Sequence, residues 1–320
     1  MVKGSIILIT GGAGFVGSHL ADKLLLKKPK KIIIIDNMLR GTNHNIKNLL
    51  YSSKVEIHKA DIRNFEVLEK LISRSDYIFH LAALRINRCA EDQQQAFEVM
   101  ISATHQLIEL AKKHDIKKII YSSSASIYGF AQNFPTPETD HPYDNKTYYG
   151  VCKLFGEGLL RSYYDMYGLN YVALRYFNIY GPRMDTEGRY TEVMIKWLDC
   201  ISEKRQPLIY GDGLTSMDFV YVDDVIDANI RALETEVTDQ VFNVGFQRET
   251  NLIELLKMLL KVTNSELKPS HVDENTINPV SKRISDNKKI NKQLGFYPKV
   301  SLEKGLLLLY NWYLEIKNKS

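Results

Sequence analysis

The sequence predicts an α/β fold in which a doubly wound parallel sheet is followed by a smaller C-terminal α/β domain. Apolar runs of strand length alternate with helical patterns over the first half of the chain, which is typical of a parallel sheet with helices on both faces. The first strand passes directly into a glycine-rich turn and a helix. Beyond Gly181-Pro182 the alternation ends, and 320 residues leave room for a second part.

The elements are expected in the following order. Six strands with helices between them are predicted at Ile6–Ile9, Ile32–Ile35, Val55–His58, Tyr77–Leu81, Lys118–Ser122 and Tyr171–Leu174. Later strands are predicted near Leu208–Tyr210 and Asp218–Tyr221, and later helices near Thr191–Cys200, Val225–Glu234, Leu252–Val262, Asn287–Gln293 and Leu302–Ile316. The predicted domains are 1–178 and 179–320, with residues 221–245 expected to return to the first domain.

The stretch Ile6–Gly17 combines a strand, a tight turn and a helix start. Its glycines at 11, 14 and 17 let the backbone approach a pyrophosphate, and the helix N-terminus offers unpaired N–H groups to it. A second strand ends at Asp36, whose carboxylate can accept hydrogen bonds from both ribose hydroxyls and repels a 2′-phosphate. These features predict a Rossmann-type sheet that binds NAD rather than NADP. A plain βαβ unit with a glycine-rich turn is the alternative.

Polar or small residues follow the next two strands, at the strand ends where such sheets bind ligands. Asp61, followed by Ile62, either accepts a hydrogen bond from an adenine amino group or caps the helix that starts at Phe65. The small side chains of Leu81-Ala82-Ala83 leave room for a cofactor. Arg85 either lines the sugar end of the site or lies at a helix start.

A strand end rich in hydroxyl groups, Tyr121–Gly129, precedes a tyrosine and a lysine at helical spacing. Tyr149 and Lys153 are four residues apart and therefore share one helix face. A tyrosine has a pKa of about 10, and a neighbouring ammonium group favours the phenolate and lowers that pKa. With a serine hydroxyl to hold the substrate, these residues form an acid–base set suited to taking a proton from an alcohol while a hydride leaves to nicotinamide.

Composition excludes several other classes of function. The formal net charge is +4, with acidic and basic residues mixed, so no nucleic-acid partner is expected. The three cysteines have no metal-site spacing, which predicts reduced thiols, no bound metal and a cytoplasmic protein. The chain opens directly on a strand, so no signal peptide is expected. No apolar run approaches the length of about 20 residues that a membrane span needs.

The chain resembles the extended short-chain dehydrogenases/reductases that act on nucleotide sugars, the epimerase/dehydratase family with its UDP-glucose 4-epimerase-like members. The resemblance covers Ile6 to about Leu309. It rests on Thr10–Gly17, Asp36-Asn37, Asp61-Ile62, His80–Ala83, Ser123–Gly129, Tyr149 with Lys153, Arg175–Arg183, Gly211–Gly213, Asp218–Asp224, and Leu294–Phe296 with Pro298. These motifs are specific for the family and much less specific for one reaction.

The resemblance implies a role for each matching residue. Ser124 would bond the sugar C4 oxygen, Tyr149 would be the base, and Lys153 would assist Tyr149 and hold the nicotinamide ribose. The residues expected to bind NAD are Gly11, Gly14, Phe15, Val16, Gly17, Asp36, Asn37, Asp61, Ile62, Leu81, Ala82, Ala83, Ser122, Tyr149, Lys153 and Tyr176. Those expected to bind a nucleotide-diphosphate sugar are Arg85, Ser124, Ser126, Asn178, Arg183 and Arg283.

Two positions depart from the family pattern. Met217 stands where an arginine usually meets the substrate diphosphate, so Arg183 or Arg189 would meet that charge instead. Met100 stands where an asparagine usually bonds the cofactor. Simple packing is the role expected for both methionines.

The implied activity is an NAD-dependent nucleotide-sugar 4-epimerase, in which Tyr149 acts as base while C4 is transiently oxidised. Dehydratases and decarboxylases of the family carry an acid at the strand end where Ala125 and Ser126 stand, so neither reaction is favoured. A 4-dehydrogenase or ketoreductase is the alternative within the family. A non-catalytic NAD-binding regulator is a further alternative, because a fold alone does not imply activity.

The helix predicted at Tyr149–Tyr167 carries apolar residues on two stripes. In the resembling family this helix commonly pairs with its copy in another subunit, which implies a homodimer. Packing of both stripes against the protein's own sheet is the alternative. The family likeness also suggests a place in polysaccharide biosynthesis.

Overall fold

The computed structural model describes residues 1–186, 192–273 and 280–318. Its strands are β1 (Ile6–Thr10), β2 (Lys31–Asp36), β3 (Val55–Lys59), β4 (Tyr77–His80), β5 (Lys118–Ser124), β6 (Tyr171–Tyr176), β7 (Asn178–Tyr180), β8 (Leu208–Tyr210), β9 (Ser216–Tyr221), β10 (Gln240–Val244), β11 (Glu249–Asn251) and β12 (Ser270–Val272). Its helices are α1 (Phe15–Leu26), α2 (Phe65–Ile72), α3 (Ile86–Glu91), α4 (Gln93–Ala96), α5 (Ala103–Lys113), α6 (Tyr148–Tyr167), α7 (Val193–Ser202), α8 (Val222–Glu234), α9 (Leu252–Val262), α10 (Lys288–Leu294) and α11 (Leu302–Lys317). A π-helical turn, Phe97–Ser102, lies between α4 and α5, and short 3₁₀ turns lie at Ala125–Tyr128 and Pro142–Asp144.

A seven-stranded sheet forms the centre of the molecule, in the order β10-β6-β5-β4-β1-β2-β3. Every neighbouring pair in it is parallel. The run Ile32–Ile35 in β2 is completely buried, which explains why it is apolar at consecutive positions rather than alternating. The predicted doubly wound α/β fold is therefore confirmed, and the carboxyl ends of β1, β4 and β5 lie side by side.

Two smaller sheets complete the fold. Strands β11, β9 and β7 form one of them, and β12 pairs in parallel with β8 in the other. Helices α9 and α11 pack on each other, and α8 packs on α1. These elements place the chain after β6 against the carboxyl ends of the large sheet, where the candidate site lies.

The structure adds elements that the sequence did not predict. Four strands, β7, β10, β11 and β12, have three to five residues each, too short for a clear period. β10 follows the predicted boundary at 178/179 and lies beside β6 at the edge of the large sheet, inside the segment 221–245 that the sequence expects to return to the first domain. That boundary stays a prediction. The predicted start of α7 at Thr191 lies outside the described residues, and the helix is described from Val193.

Candidate active site

One cavity of about 710 Å³ runs along the carboxyl ends of β1, β2, β4, β5 and β6. All residues predicted to bind cofactor or substrate line it. The sheet contributes one wall, and the opposite wall contains residues from the second half of the chain, among them Met217, Phe219, Leu252 and Arg283. The fold therefore brings the predicted residues together in a single place. Their individual roles remain proposals.

The glycine-rich turn after β1 is shaped by close backbone contacts. Gly11 has φ +71°, and a Cβ there would lie 2.9 Å from the backbone nitrogen of Ala82. A Cβ on Gly17 would collide with the carbonyl oxygen of Gly11. Helix α1 starts at Phe15 with no acidic residue in its first turn, and Gly14, Phe15, Val16 and Gly17 at its N-terminus line the cavity. The turn fits a pyrophosphate, as the NAD prediction requires.

Asp36 is held rigidly at the end of β2. Its Oδ2 accepts a 2.9 Å hydrogen bond from the backbone N–H of Ala13, and its Oδ1 accepts a 2.8 Å bond from that of Met38. The carboxylate is 7% exposed and lines the cavity, where further lone pairs can accept from a ribose. The position fits the cofactor-binding role that the sequence predicts.

Asp61 does not cap α2, because Asn64 occupies that position and accepts from the backbone N–H of Val67. The cap alternative for Asp61 is therefore wrong. Burial raises the pKa of Asp61, but hydrogen bonds from Arg63 and Asn37 outweigh it, so the pKa lies below its usual value. Asp61 is thus a carboxylate on the wall of the cavity.

The end of β4 is fixed by a buried hydrogen-bond chain that the sequence did not reveal. His80 Nδ1 lies 2.8 Å from Thr10 Oγ1, and its Nε2 lies 3.0 Å from Thr104 Oγ1. Thr10 Oγ1 in turn accepts from the backbone N–H of Ala82 at 3.1 Å. Burial lowers the pKa of His80 to about 3, so the ring is neutral. These hydrogen bonds join β4 to β1 beneath the cofactor-binding turn.

Helix α6 carries the predicted acid–base pair. It begins at Thr147, whose Oγ1 accepts from the backbone N–H of Gly150 at 3.2 Å. This cap places Tyr149 and Lys153 in the first two turns. The Lys153 ammonium donates a 2.6 Å hydrogen bond to the Ser122 carbonyl and lies 5.7 Å from the centre of the Tyr149 ring.

Burial dominates the ionisation of both groups. It lowers the pKa of Lys153 to about 8 and raises the pKa of Tyr149 to about 12. A hydrogen bond with Ser124 and the positive charges of Arg283 and Arg40 act in the opposite direction on Tyr149. The prediction that the neighbouring lysine lowers this pKa is not met in the protein alone, because sequence spacing reveals the charge and not the burial.

Arg283 is the clearest candidate for an anion ligand in the second half of the chain. Its side chain lines the cavity, and its Nε is buried without a hydrogen-bond partner among the described residues. Burial lowers its pKa to about 10. A guanidinium group buried in this way has donors left for a bound diphosphate. Asn178, also predicted to bind diphosphate, lines the same cavity.

Two other predicted arginines are already engaged with carboxylates. Arg183 Nη2 lies 2.6 Å from Asp22 Oδ2, on α1. Arg85 Nη2 lies 3.7 Å from Asp185 Oδ2, and Arg40, which the sequence did not single out, lies 3.4 Å from the same oxygen. Arg183 and Arg85 therefore line the cavity as members of ion pairs. Arg189 lies outside the described residues.

The two departures from the family pattern differ in the structure. Met100 is buried in the core, with its sulfur 3.4 Å from that of Cys89, as expected for a packing residue. Met217 instead lines the cavity and presents an apolar surface to whatever the cavity holds. Ser126 is 6% exposed and lines the cavity, and its backbone N–H donates to Ser124 Oγ at 3.1 Å.

The parallel sheet, the glycine turn at its centre and the Ser–Tyr–Lys set beside it define a dinucleotide-binding enzyme of the extended short-chain dehydrogenase/reductase type. The chain belongs to the NAD dependent epimerase/dehydratase family, which its residues 7–245 match. NAD is accordingly its cofactor.

Comparison with known proteins gives the same class over nearly the whole chain. The UDP-glucose 4-epimerase of Thermotoga maritima, solved with UDP-glucose, is 35% identical, with 98% of this chain and 99% of that chain covered and a TM-score of 0.90. The UDP-glucuronic acid 4-epimerase of Bacillus cereus, solved with UDP-glucuronic acid and NAD, is 30% identical, with coverages of 97% and 99% and a TM-score of 0.89. The UDP-N-acetyl-alpha-D-glucosaminuronate decarboxylase of Bacillus cytotoxicus is 31% identical, with coverages of 97% and 98%.

Two further observations concern the described residues only. None of the described helices combines the length and apolar character needed to cross a membrane. Over the same residues, no group of three histidine, cysteine or acidic side chains is placed to hold a metal ion.

Proposed function

We propose that this chain is a UDP-sugar 4-epimerase in which Tyr149 is the base. The observation that carries the proposal is the position of Ser124, Tyr149 and Lys153 on the same cavity as the glycine turn and Arg283. A sugar nucleotide whose diphosphate meets Arg283 can extend its hexose toward Tyr149. Similar proteins include UDP-glucose and UDP-glucuronic acid 4-epimerases, which supports both the UDP nucleotide and the reaction.

The chain's own residues account for the proton transfer. The Ser124 hydroxyl lies close enough to Tyr149 to lower its pKa, and it can orient the C4 hydroxyl of the sugar toward the phenol oxygen. Tyr149 takes the proton from that hydroxyl, and Lys153 stabilises the negative charge of the phenolate through its ammonium group. NAD, when bound along the glycine turn, supplies the acceptor and donor for the C4 hydride.

Inversion also requires that the sugar present both faces to the same reactive position. Met217 and Leu252 give the cavity wall opposite the sheet an apolar surface that makes no fixed hydrogen bonds to sugar hydroxyls. The diphosphate can stay anchored at Arg283 while the oxidised sugar turns. When the hydride returns to C4, the proton passes from Tyr149 to the C4 oxygen. The enzyme is then restored without a second substrate.

The decarboxylases among the relatives define the competing reaction. Ala125 is 2% exposed and Ser126 is 6% exposed at the strand end where decarboxylases and dehydratases of the family carry an acid. Neither side chain can donate or accept a proton at neutral pH, so this position favours epimerisation. A 4-dehydrogenase or ketoreductase would share the same cavity and would differ by exchanging its cofactor in each turnover.

Proton NMR of the purified protein tests the proposal. UDP-glucose, UDP-N-acetylglucosamine and UDP-glucuronic acid are incubated separately in D₂O without added NAD, with Tyr149→Phe as the control. A product inverted at C4 without deuterium at that carbon is the expected result. Loss of carbon dioxide from UDP-glucuronic acid indicates the decarboxylase, and turnover only with stoichiometric NAD indicates the dehydrogenase; either result contradicts the proposal.

We also propose that the enzyme is a homodimer that pairs through α6. Val151 and Met166 on this helix are 51% and 55% exposed, and Phe97 from the preceding π-helical turn is 47% exposed. A Cβ on Gly158, between them on α6, would have no atom within 4 Å. This exposed apolar face can pack against its symmetry copy. Light scattering after gel filtration should give twice the monomer mass, and Val151→Glu should give the monomer mass.

A further inference from the structure

A row of polar side chains crosses the interior of the large sheet. Ser123 on β5 is the lateral neighbour of Arg175 on β6, and Arg175 is the lateral neighbour of Asn243 on β10. Their exposed fractions are 2%, 7% and 0%. Positions buried in a parallel sheet are normally apolar, so three adjacent polar residues call for a reason.

Glu157 joins this row to the helix that carries the acid–base pair. It follows Tyr149 by eight residues and Lys153 by four, so all three lie on one face of α6. The Ser123 hydroxyl donates to Glu157 Oε1. Arg175 Nε donates to the same oxygen at 2.9 Å, and Arg175 Nη2 donates to Oε2 at 2.6 Å. The helix is therefore fixed to two strands by a buried, two-pronged ion pair.

The row continues from Arg175 to the edge of the sheet through the Tyr128 hydroxyl. Arg175 Nη1 donates to the Tyr128 hydroxyl at 2.8 Å, and that hydroxyl donates to Asn243 Oδ1 at 2.7 Å. Tyr128 is buried and ends the short turn that follows Ser124. The centre of its ring lies 4.9 Å from the Arg175 guanidinium carbon. Glu138 provides a parallel link, because its carbonyl accepts from Arg175 Nη1 at 3.0 Å and its Oε1 accepts from the Asn243 backbone N–H at 2.8 Å. Tyr128 is thus the bridge from the ion pair to the side chain of Asn243.

Asn243 connects the row to the segment that presents Arg283. Its Nδ2 donates to the carbonyls of Thr136 and Asp286, at 2.9 and 3.3 Å. The backbone N–H of Thr136 also donates to the Ile284 carbonyl at 2.7 Å. The Thr136 carbonyl accepts from the backbone N–H of Asp286 at 3.0 Å. The residues that follow Arg283 are therefore tied, through Asn243, to the same buried network as α6.

We propose that Glu157, Arg175, Tyr128 and Asn243 are positioning residues that set the distance between Tyr149 and Arg283. The inference rests on the proposed function, because the two ends of one sugar nucleotide would contact these two residues. A buried ion pair contributes little net stability compared with apolar packing, but its geometry is strict. Since a misplacement of about 1 Å can lower a rate about 100-fold, fixed spacing across the cavity matters to catalysis.

The experiment compares two hydroxyl deletions. Tyr128→Phe removes the hydroxyl that links Arg175 to the Asn243 side chain, and it leaves the ring, the Glu138 link and the Glu157–Arg175 pair in place. Tyr171→Phe is the matched control, because Tyr171 is also buried, on the far end of β6, and its hydroxyl donates to Asp239 Oδ1 at 2.8 Å. UDP affinity of the NAD-loaded proteins is measured by calorimetry, and amide hydrogen exchange is measured over 281–287.

Tyr128→Phe is expected to weaken UDP binding roughly tenfold, the size typical of one lost hydrogen bond to a charged group, and to speed exchange over 281–287. Tyr171→Phe should leave both within about twofold of the unmodified protein. An unchanged UDP affinity and exchange rate in Tyr128→Phe would overturn the inference. Equal losses in both variants would also overturn it, because they would indicate a general effect on stability.

A second variant tests the other end of the row and does not depend on the folding of the first. Ser123→Ala removes the hydroxyl that donates to Glu157. This variant should lower kcat several-fold while UDP affinity stays unchanged. A change in UDP affinity with unchanged kcat would contradict the inference that Ser123 acts on the position of Tyr149. If the unmodified protein forms no epimer, the proposed function fails. Hydrogen exchange over 281–287 in Tyr128→Phe still tests whether Tyr128 fixes the segment that presents Arg283.

Discussion

The Lys153 ammonium lies 2.6 Å from the Ser122 carbonyl oxygen, within the same cavity wall as Tyr149. Burial lowers the pKa of Lys153 to about 8, whereas a lysine in the unfolded chain has a pKa of about 10.4. Below pH 8 the folded chain therefore holds a buried charge that the unfolded chain keeps in water. Between about pH 8 and 10.4 the unfolded chain binds more protons, so the stability contributed by this residue rises with pH.

Lys153→Met should consequently stabilise the NAD-free protein at pH 7 while it abolishes epimerisation. The expected gain in unfolding free energy is on the order of 2 kcal/mol, after the lost hydrogen bond to Ser122 is subtracted. Urea unfolding at pH 7 and at pH 10.5 measures it, and the gain should shrink at the higher pH. Lys113→Met, at a residue 62% exposed, should change stability little. A less stable Lys153→Met protein at pH 7 would show that the lysine is not strained by burial.

The hydrogen bond between Ser124 and Tyr149 predicts a shift of the pH profile. This bond lowers the pKa of Tyr149 against the larger effect of burial. Ser124→Ala should therefore raise that pKa and move the acid limb of kcat/KM to higher pH, by roughly one pH unit. Ser124→Thr keeps the hydroxyl and should restore the limb. The measurement is the epimerisation rate of the NAD-loaded enzyme from pH 6 to 11; a slower enzyme with an unmoved limb would argue against this role.

Local patterns in the sequence predict the fold and select candidate site residues that share one cavity, because the information in these patterns lies within short stretches. The turn at Gly11–Gly17 and the spacing of Tyr149 and Lys153 each act within one strand–helix unit. Contacts between distant segments have no such local pattern. The pairing of Arg183 with Asp22 joins residues 161 positions apart, so nothing near Arg183 announces it.

Burial is the other quantity that the sequence leaves open. The sequence places a cation near Tyr149 and predicts a lowered pKa, whereas burial in the folded chain raises it to about 12. The same limit applies to Arg40, whose charge reaches Tyr149 only because the fold brings the end of β2 near α6. The pKa of Tyr149 is thus a property of the assembled cavity and of the charge of the cofactor that binds there.

The two glycines Gly17 and Gly158 provide a matched test of the cofactor site. Gly17→Ala places a Cβ against the carbonyl oxygen of Gly11 in the turn that fits pyrophosphate. It should weaken NAD binding about 10- to 100-fold, since overpacking costs about 1–3 kcal/mol. Gly158→Ala meets no atom of its own chain within 4 Å and lies on the outer face of α6, so it should leave NAD binding unchanged. NAD titration followed by tryptophan fluorescence compares them, and equal affinities would place the pyrophosphate elsewhere.

Arg283 offers the sharpest test of the substrate's orientation. Its Nε is buried without a hydrogen-bond partner among the described residues, and burial lowers its pKa to about 10. A group in this state is held ready for an anion at a cost to the stability of the empty protein. Arg283→Met should therefore raise the melting temperature of the ligand-free protein by a few degrees and weaken UDP binding about 50-fold or more.

The control for Arg283 is Arg183, which lines the same cavity and also has a buried donor without a partner among the described residues, Nη1, but whose Nη2 is paired with Asp22 at 2.6 Å. Arg183→Met leaves a carboxylate without its partner, so it should lower the melting temperature and weaken UDP binding much less. Calorimetric titration with UDP and thermal unfolding of both variants make the comparison. A larger loss of UDP affinity in Arg183→Met than in Arg283→Met would place the diphosphate beside α1 and would require the sugar to approach Tyr149 from the opposite end of the cavity.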